Sequence, residues 1–482
     1  MLLEGVQSGK VQAAMKQAAD GVSSVASGAA AAASSAASSA SSAAKAATQS
    51  QQKPKKRTWE KAKPQPKQQA QSNSRPEDLD SYFTTDVMGV ELGEGAKAWS
   101  GATAAILEAG APRVVENDQG MRSTPSVVAF DDAGEVLVGQ PAKKLLFSNR
   151  ATPVSSFALL LGLNASSPEL DQLKTAGALG ELDVISSAEG QADGPAAIRV
   201  HDVAHTPEEL SARVLGALKA NAESALGNRT VLQAVFAAPV NASDAVRDAL
   251  EVAGKRAGLR RIVLIDAPVA GACAAALELP SELAQCQRLG VYELGGRSFS
   301  FSVLERGGEA GWSVAGARRQ LALGSEAFDD AVIDHLVGGF RDEHSIDLSS
   351  DHLALQRLHE ATEAAKLELC KEAVASISLP FITADATGPK HLEHSLSRTK
   401  FEQLIEPTLS ATSEICDLAL ADAGVAKSDL HALLLLGGSA RLAAVEAHAS
   451  KLFPGIPTLR TDRPEEAVAL GAAAHAQKMF AD

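Results

Sequence analysis

The stretch Gly290-Val291-Tyr292-Glu293-Leu294-Gly295-Gly296-Arg297-Ser298-Phe299-Ser300 decides how the body of this chain is read. Residues 290–293 begin an apolar strand, the glycine pair breaks it, and residues 298–304 resume it. A second strand with a glycine pair follows at 433–436, where Gly437-Gly438 leads into a helix over 442–452. Glycine pairs at strand ends expose backbone N–H groups, and the missing Cβ lets an anion or a sugar come close. The same pattern also makes an ordinary tight turn. Neither pair fits a G-x-x-x-x-G-K-[ST] phosphate loop or a G-x-G-x-x-G fingerprint.

Working outward, strands and helices alternate. Residues 126–130 and 136–138 predict a hairpin around Asp131-Asp132-Ala133-Gly134. An apolar strand at 231–238 is followed by Pro239, and Ser243 caps a helix over 244–257 with Val246, Leu250 and Ala253 on one face. A buried strand at 261–265 runs through Asp266-Ala267-Pro268 into a small-residue helix at 270–277. This alternation predicts an α/β body with at least two sheets.

The chain has 482 residues, enough for more than one ordinary domain, and 45% are hydrophobic, enough for a large core. Aromatics are only 4%, so that core must be built mainly from Ala, Leu and Val. No window is apolar and long enough to predict a membrane span. Cys273, Cys286, Cys370 and Cys416 form no C-x-x-C pair, which argues against a zinc module or a disulfide scaffold and for a reducing compartment.

The net charge of −14 hides a split. Residues 1–75 carry eleven Lys/Arg against Glu4, Asp20 and Glu60, a net +8, so the remainder carries −22. In residues 21–50, 23 of 30 are Ala or Ser, with no large side chains to bury. A Pro-broken basic segment follows at 53–67, holding Lys53, Lys55, Lys56, Arg57, Trp59, Lys61, Lys63 and Lys67. Residues 1–80 therefore form a low-complexity arm with three readings. An acid-poor, Ala/Ser-rich, basic start suits an organelle-targeting peptide, although it opens Met-Leu-Leu-Glu and has only Arg57 and Arg75 as arginines. A retained arm would bind RNA or an acidic surface through residues 53–67. The third reading is a plain solvated tail.

Several segments of the body resemble the nucleotide-binding domain of the heat-shock protein 70 chaperones, in order and at matching spacing. They are Pro112-Arg113-Val114-Val115-Glu116-Asn117, residues 120–130, residues 137–144, Thr206-Pro207-Glu208-Glu209-Leu210-Ser211, residues 266–270, residues 324–329, Glu363-Ala364-Ala365-Lys366, Gly437-Gly438-Ser439-Ala440-Arg441 and residues 464–473. The segment from Pro112 is nearest the bacterial and mitochondrial (DnaK) branch. The resemblance implies an actin-like (ribonuclease-H-like) two-lobed ATPase fold over 86–482, preceded by the low-complexity arm. Lobe I would take about 86–270 and 450–482, and lobe II about 271–449. No peptide-gripping domain is expected.

The resemblance also implies ATP or ADP as cofactor, and each phosphate-handling part can be compared. The family's D-L-G-T-T appears as Glu91-Leu92-Gly93-Glu94-Gly95, which puts the Glu94 charge where a polyphosphate would sit. Two like charges 4 Å apart repel by about 4 kcal/mol at an effective dielectric of 20. Residues 96–103 carry extra length. The family's lysine near the γ-phosphate falls on Ala158, and no lysine lies between Lys144 and Lys174. The family's D-L-G-G-G-T-F-D reads Glu293-Leu294-Gly295-Gly296-Arg297-Ser298-Phe299-Ser300. Glu293 stands a methylene longer, Arg297 is expected to crowd the phosphate position, and the second acid has become Ser300. Mg²⁺ is therefore not expected to be held efficiently, nor ATP hydrolysed efficiently. The positions implied to hold nucleotide are Glu293, Gly295, Gly296, Ser298, Glu326, Glu363, Lys366, Gly437, Gly438, Ser439 and Arg441. Cys370 stands for a serine and Glu465 for an aspartate. A bland alternative keeps these for lobe packing, with Glu363 and Lys366 as a helix-face pair.

These readings converge on a degenerate nucleotide-binding domain acting as a non-catalytic structural or adaptor subunit. It would sit with protein subunits of a larger assembly, ribosome-associated or organellar, in a mitochondrion or alternatively the cytoplasm. The alternatives are an active regulatory ATPase working with separate partners, and a nucleotide sensor without hydrolysis.

Overall fold

The computed structural model describes residues 86–95, 101–131, 135–145, 151–180, 182–188 and 191–480. The chain divides into Met1–Asn73 and Ser74–Asp482, and everything described lies in the second unit. The readings of the arm, and of the extra length at 96–100, lie outside the described residues.

Two five-stranded sheets organise the unit. Their strands are β1 (Val87–Glu91), β2 (Thr103–Glu108), β3 (Ala111–Val114), β4 (Gln233–Ala238), β5 (Arg261–Asp266), β6 (Arg288–Leu294), β7 (Ser298–Arg306), β8 (Trp312–Leu321), β9 (Ala432–Leu436) and β10 (Thr458–Arg460). The first sheet runs β5-β4-β1-β2-β3 and the second β8-β7-β6-β9-β10. In each, a three-strand antiparallel meander comes first (β1/β2/β3 and β6/β7/β8). Two strands then add in parallel beside the leading strand (β4 and β5; β9 and β10). The two halves thus repeat one topology. The expected boundary near 450 assigns residues 458–460 to lobe I, but β10 pairs in parallel with β9 and belongs to the second sheet.

The principal helices are α1 (Pro207–Ala225), α2 (Asp244–Arg256), α3 (Ala267–Glu278), α4 (Glu326–His344), α5 (His352–Leu369), α6 (Arg398–Ala423), α7 (Ala443–Leu452) and α8 (Ala467–Met479). Their starts follow from local chemistry. The Thr206 hydroxyl accepts from the Glu209 N–H while the Glu209 carboxylate accepts from the Thr206 N–H, and Ser243 accepts from the Val246 N–H. The expected hairpin around 131–134 forms between Val128–Asp131 and Val136–Val138.

Burial on both faces explains the unbroken apolar run of β9. Leu433 and Leu435 join a core with Tyr292, Phe299, Phe301 and the helices α4 to α7. Leu434 and Leu436 face the other way, into a core shared by both sheets with α3 and α8. That middle layer is Ala-rich because two helices must fit between two sheets. Gly89 on β1 lies against the Ala469 and Ala473 backbone of α8, and Gly471 lies against the Ala270 carbonyl of α3, so a Cβ at either would strike backbone. Among the described residues, no helix is long and apolar enough to cross a membrane.

Candidate functional site

The matching meanders bring their first turns face to face. β1 ends at Glu91 and passes through Gly93 to Glu94, and β6 ends at Leu294 and turns through Gly295-Gly296-Arg297 into β7. Gly437 ends β9 with φ 86°, and a Cβ there would meet the Leu294 carbonyl, so only glycine permits this crossing. The segment before α4 is tied to the β6–β7 turn: the Ser325 and Glu326 N–H groups each donate to the carbonyls of Gly295 and Gly296 at 2.9 Å.

Between the turns lies a cavity of about 110 Å³ with Glu91, Glu94, Glu293, Ser298, Ser300 and Arg319 on its polar side. Its remaining wall includes Ala158, Ala237, Pro239 and Ala267. Drug-sized ligand sites run from about 300 to 1,000 Å³, so this space is too small for a nucleoside polyphosphate as it stands. A second cavity of about 470 Å³ shares Gly296 with the first and is lined by Lys143, Arg297, Glu326 and Glu363.

Four carboxyl groups, those of Glu91, Glu94, Glu293 and Glu465, line the small cavity. Burial, then the neighbouring charges of Glu293 and Glu94, push the Glu91 carboxyl up to about 8, so it holds its proton at neutral pH. Burial also raises Glu293, although the Ser300 hydroxyl donates to its Oε2 at 2.7 Å and works the other way. Glu94 is held differently. Its Oε2 accepts from the Ser298 hydroxyl at 2.7 Å, and its Oε1 is ion-paired with the Arg319 guanidinium. Glu94 is thus not an unbalanced charge. Among the described residues, no cluster of three or more His, Cys, Asp or Glu side chains is arranged to hold a metal ion.

Arg319 is the residue that sequence reasoning missed. It lies on β8 directly opposite Ser300 on β7, so strand periodicity puts Arg319, Ser300 and Ser298 on one face. The signal was the register of a meander, which cannot be counted from β8 alone. Ala158 lies on the cavity wall where the family's lysine was expected, in a short 3₁₀ turn over Phe157–Leu160. Arg297 corrects its expectation. It does not crowd the small cavity: its guanidinium donates to the Ala178 carbonyl and pairs with Glu326 at 2.9 Å. The cause is the Glu326 carboxylate, anchored through its own N–H beside the Arg297 turn.

The remaining expected residues are divided. Glu293, Gly295, Gly296, Ser298 and Gly437 line the small cavity, and Glu326 and Glu363 the larger one. Glu363 pairs with Lys143 at 3.0 Å, across the junction between the two halves. Lys366 lies at 2.8 Å from Asp329, both buried, which ties α5 to α4. Arg441 pairs with Glu465 at 2.8 Å. Gly438 and Ser439 lie in the 3₁₀ turn after β9, and the Ser439 Oγ is buried without a hydrogen-bond partner.

The duplicated meander topology, the facing glycine turns and the order of the matching segments describe one family. The model of the Hsp70 protein family matches residues 87–480. The chain belongs to the Hsp70 protein family.

Proposed function

We propose that this chain is a chaperone-type nucleotide-binding domain that has lost ATP hydrolysis and acts as a structural or adaptor subunit. Members of the family bind ATP or ADP, so the fit of this cleft to a triphosphate is the deciding matter. The observation that carries the reading is the Glu94 carboxylate, held by Ser298 and Arg319 between the two phosphate-type turns. An anion already occupies the hydroxyl and the guanidinium that would face a phosphate. Ala158 supplies no charge, and the Glu91 carboxyl is a neutral acid at pH 7, a poor ligand for Mg²⁺. Phosphoryl transfer depends on positioning and charge neutralisation, and these residues offer neither. The phosphate half does not fit the polyphosphate and its metal, and no catalytic step is assigned to it.

Single-turnover hydrolysis with purified chain and Mg-ATP tests this. The expected result is no ADP formation above the uncatalysed background. A rate within tenfold of a hydrolysing family member would overturn the reading.

A second reading, a sensor that binds nucleoside or nucleotide without hydrolysis, is favoured by the 470 Å³ cavity bearing Glu326 and Glu363. It requires a rise in melting temperature with added adenosine or ADP, as binding linkage demands.

The arm carries the partner side of the proposal. Residues 53–67 hold seven Lys/Arg against Glu60, with Pro54, Pro64 and Pro66 preventing a continuous helix. We assign it to docking on RNA or an acidic protein surface of a larger assembly, in a mitochondrion or the cytoplasm. Replacing Lys55, Lys56, Arg57 and Lys61 by Ala should flatten the salt dependence of co-sedimentation with that assembly. Co-sedimentation equal to wild type at every salt concentration would exclude it.

A further inference from the structure

We propose that Glu94 is a built-in surrogate for a nucleotide phosphate, clasping the two halves of the cleft together without nucleotide. The inference rests on reading the β1–β2 and β6–β7 turns as the family's phosphate turns. It goes beyond lost hydrolysis, because a cleft can lose its catalytic groups and still hang open.

The geometry supports it in three ways. Glu94 follows β1 of the first sheet, whereas Ser298 begins β7 and Arg319 lies on β8 of the second, so both contacts cross from one sheet to the other. The carboxylate presents two oxygens, as a phosphate would, and each takes a different donor: the hydroxyl at Oε2 and the guanidinium at Oε1. The Arg319 guanidinium also reaches the Ser298 Oγ at 3.4 Å, closing a three-membered cluster. Glu94 and Arg319 are each about four-fifths buried, which leaves their attraction poorly screened. Charge-assisted hydrogen bonds of this kind are the strong ones. The chain itself supplies an anion to Ser298 and Arg319, and a polyphosphate must first displace it.

Other polar contacts across the junction include Lys143 with Glu363, Arg297 with the Ala178 carbonyl, and the Asn241 side-chain amide with the Ala317 carbonyl at 2.8 Å. None of them places an anion between the glycine turns. Among the described residues, it is the Glu94 cluster that places a carboxylate on a hydroxyl and a guanidinium between these turns.

The test is a distance measurement by pulsed electron paramagnetic resonance on the full chain. Spin labels go on Val203→Cys and Leu353→Cys, whose native side chains are 54% and 63% exposed, one on each half. Cys273 and Cys370 are replaced by Ser; Cys286 and Cys416 are buried. Without nucleotide, the parent should give one narrow distance that Mg-ATP leaves unchanged. Glu94→Ala and, independently, Arg319→Ala should raise the open population about 10- to 100-fold, the equivalent of one charged hydrogen bond. Tripolyphosphate added to Glu94→Ala should narrow the distribution again, because it returns an anion to Ser298 and Arg319. A broad parent distribution, or folded variants as narrow as the parent, would overturn the clasp. Failure of tripolyphosphate to narrow Glu94→Ala would overturn the phosphate mimicry. The distances are read without hydrolysis, so a positive hydrolysis assay would refute the non-catalytic reading and leave this result standing.

Discussion

Replacing Glu91 by Gln should leave stability almost unchanged near pH 4 and raise it on the order of 4 kcal/mol at pH 9. The Glu91 carboxyl is raised from 4.5 to about 8 by burial and by Glu293 and Glu94. Below 4.5 the group is protonated in both folded and unfolded chains and contributes no pH dependence. Between 4.5 and 8 the unfolded chain releases the proton while the folded chain keeps it, so stability falls as pH rises, by about 1.4 kcal/mol per unit. Above 8 the loss is complete and the contribution is flat. Gln carries no charge at any pH and imitates the protonated acid, so the variant should lose most of this slope. Glu293, whose carboxyl is raised in the same direction, contributes part of the residual slope, and His205, His335, His448 and His475, all lowered chiefly by burial, contribute with the opposite sign. Part of Glu91 faces the cavity and keeps some hydration, which makes the figure an upper one. Urea unfolding of both proteins from pH 5 to 9 measures it. Parallel lines for the two proteins would show that Glu91 ionises as an ordinary surface carboxyl.

Lys366→Met should destabilise the fold by about 3–5 kcal/mol, the cost of leaving a buried charge without its counter-ion. Asp329 is completely buried and Lys366 is 4% exposed, with 2.8 Å between amino nitrogen and carboxylate oxygen. Coulomb attraction there is weakly screened, and the desolvation of both groups is already committed in the fold. The double variant Asp329→Leu with Lys366→Met should recover most of the loss, because it removes both charges together. Lys143→Met is the contrast. Its pair with Glu363 retains more solvent, at 21% and 16% exposure, and should cost less. Shifts in urea midpoint at constant m-value would measure all three. A Lys366→Met loss no greater than that of Lys143→Met would show that the Asp329 charge is compensated from elsewhere. The result also bears on the site: an amino group committed to joining α4 and α5 is a packing element first.

The elements themselves were legible. Ser243 followed by an apolar face at Val246, Leu250 and Ala253 located α2, whose N-cap is as expected. The glycine pairs located the turns that approach each other, because the close crossing of Gly437 over Leu294 excludes any side chain. Ala158 could be placed on the cavity wall by counting back from Gly162, since that spacing is short and local.

The partners of the charges were not legible. Arg319 is one of two adjacent arginines on β8, and nothing local says that one turns inward. Its facing is fixed by pairing with Ser300 on the neighbouring strand. Arg297 was expected at the phosphate position because sequence gives its address and not its rotamer; the Glu326 carboxylate drew it to the other cavity. The repeat of one sheet topology in both halves was hidden for the same reason, since strand order is a matter of pairing.

By itself, then, the sequence determined the family, the acidic body behind a basic arm, and the presence of Ala158 and Ser300 at the positions compared with the family's lysine and second acid, because these depend on residue identity at short spacing. Only the tertiary structure decided that Glu94 would be clasped rather than solvated. A carboxylate 225 residues from its arginine finds it only when two separate meanders fold and bring their turns together.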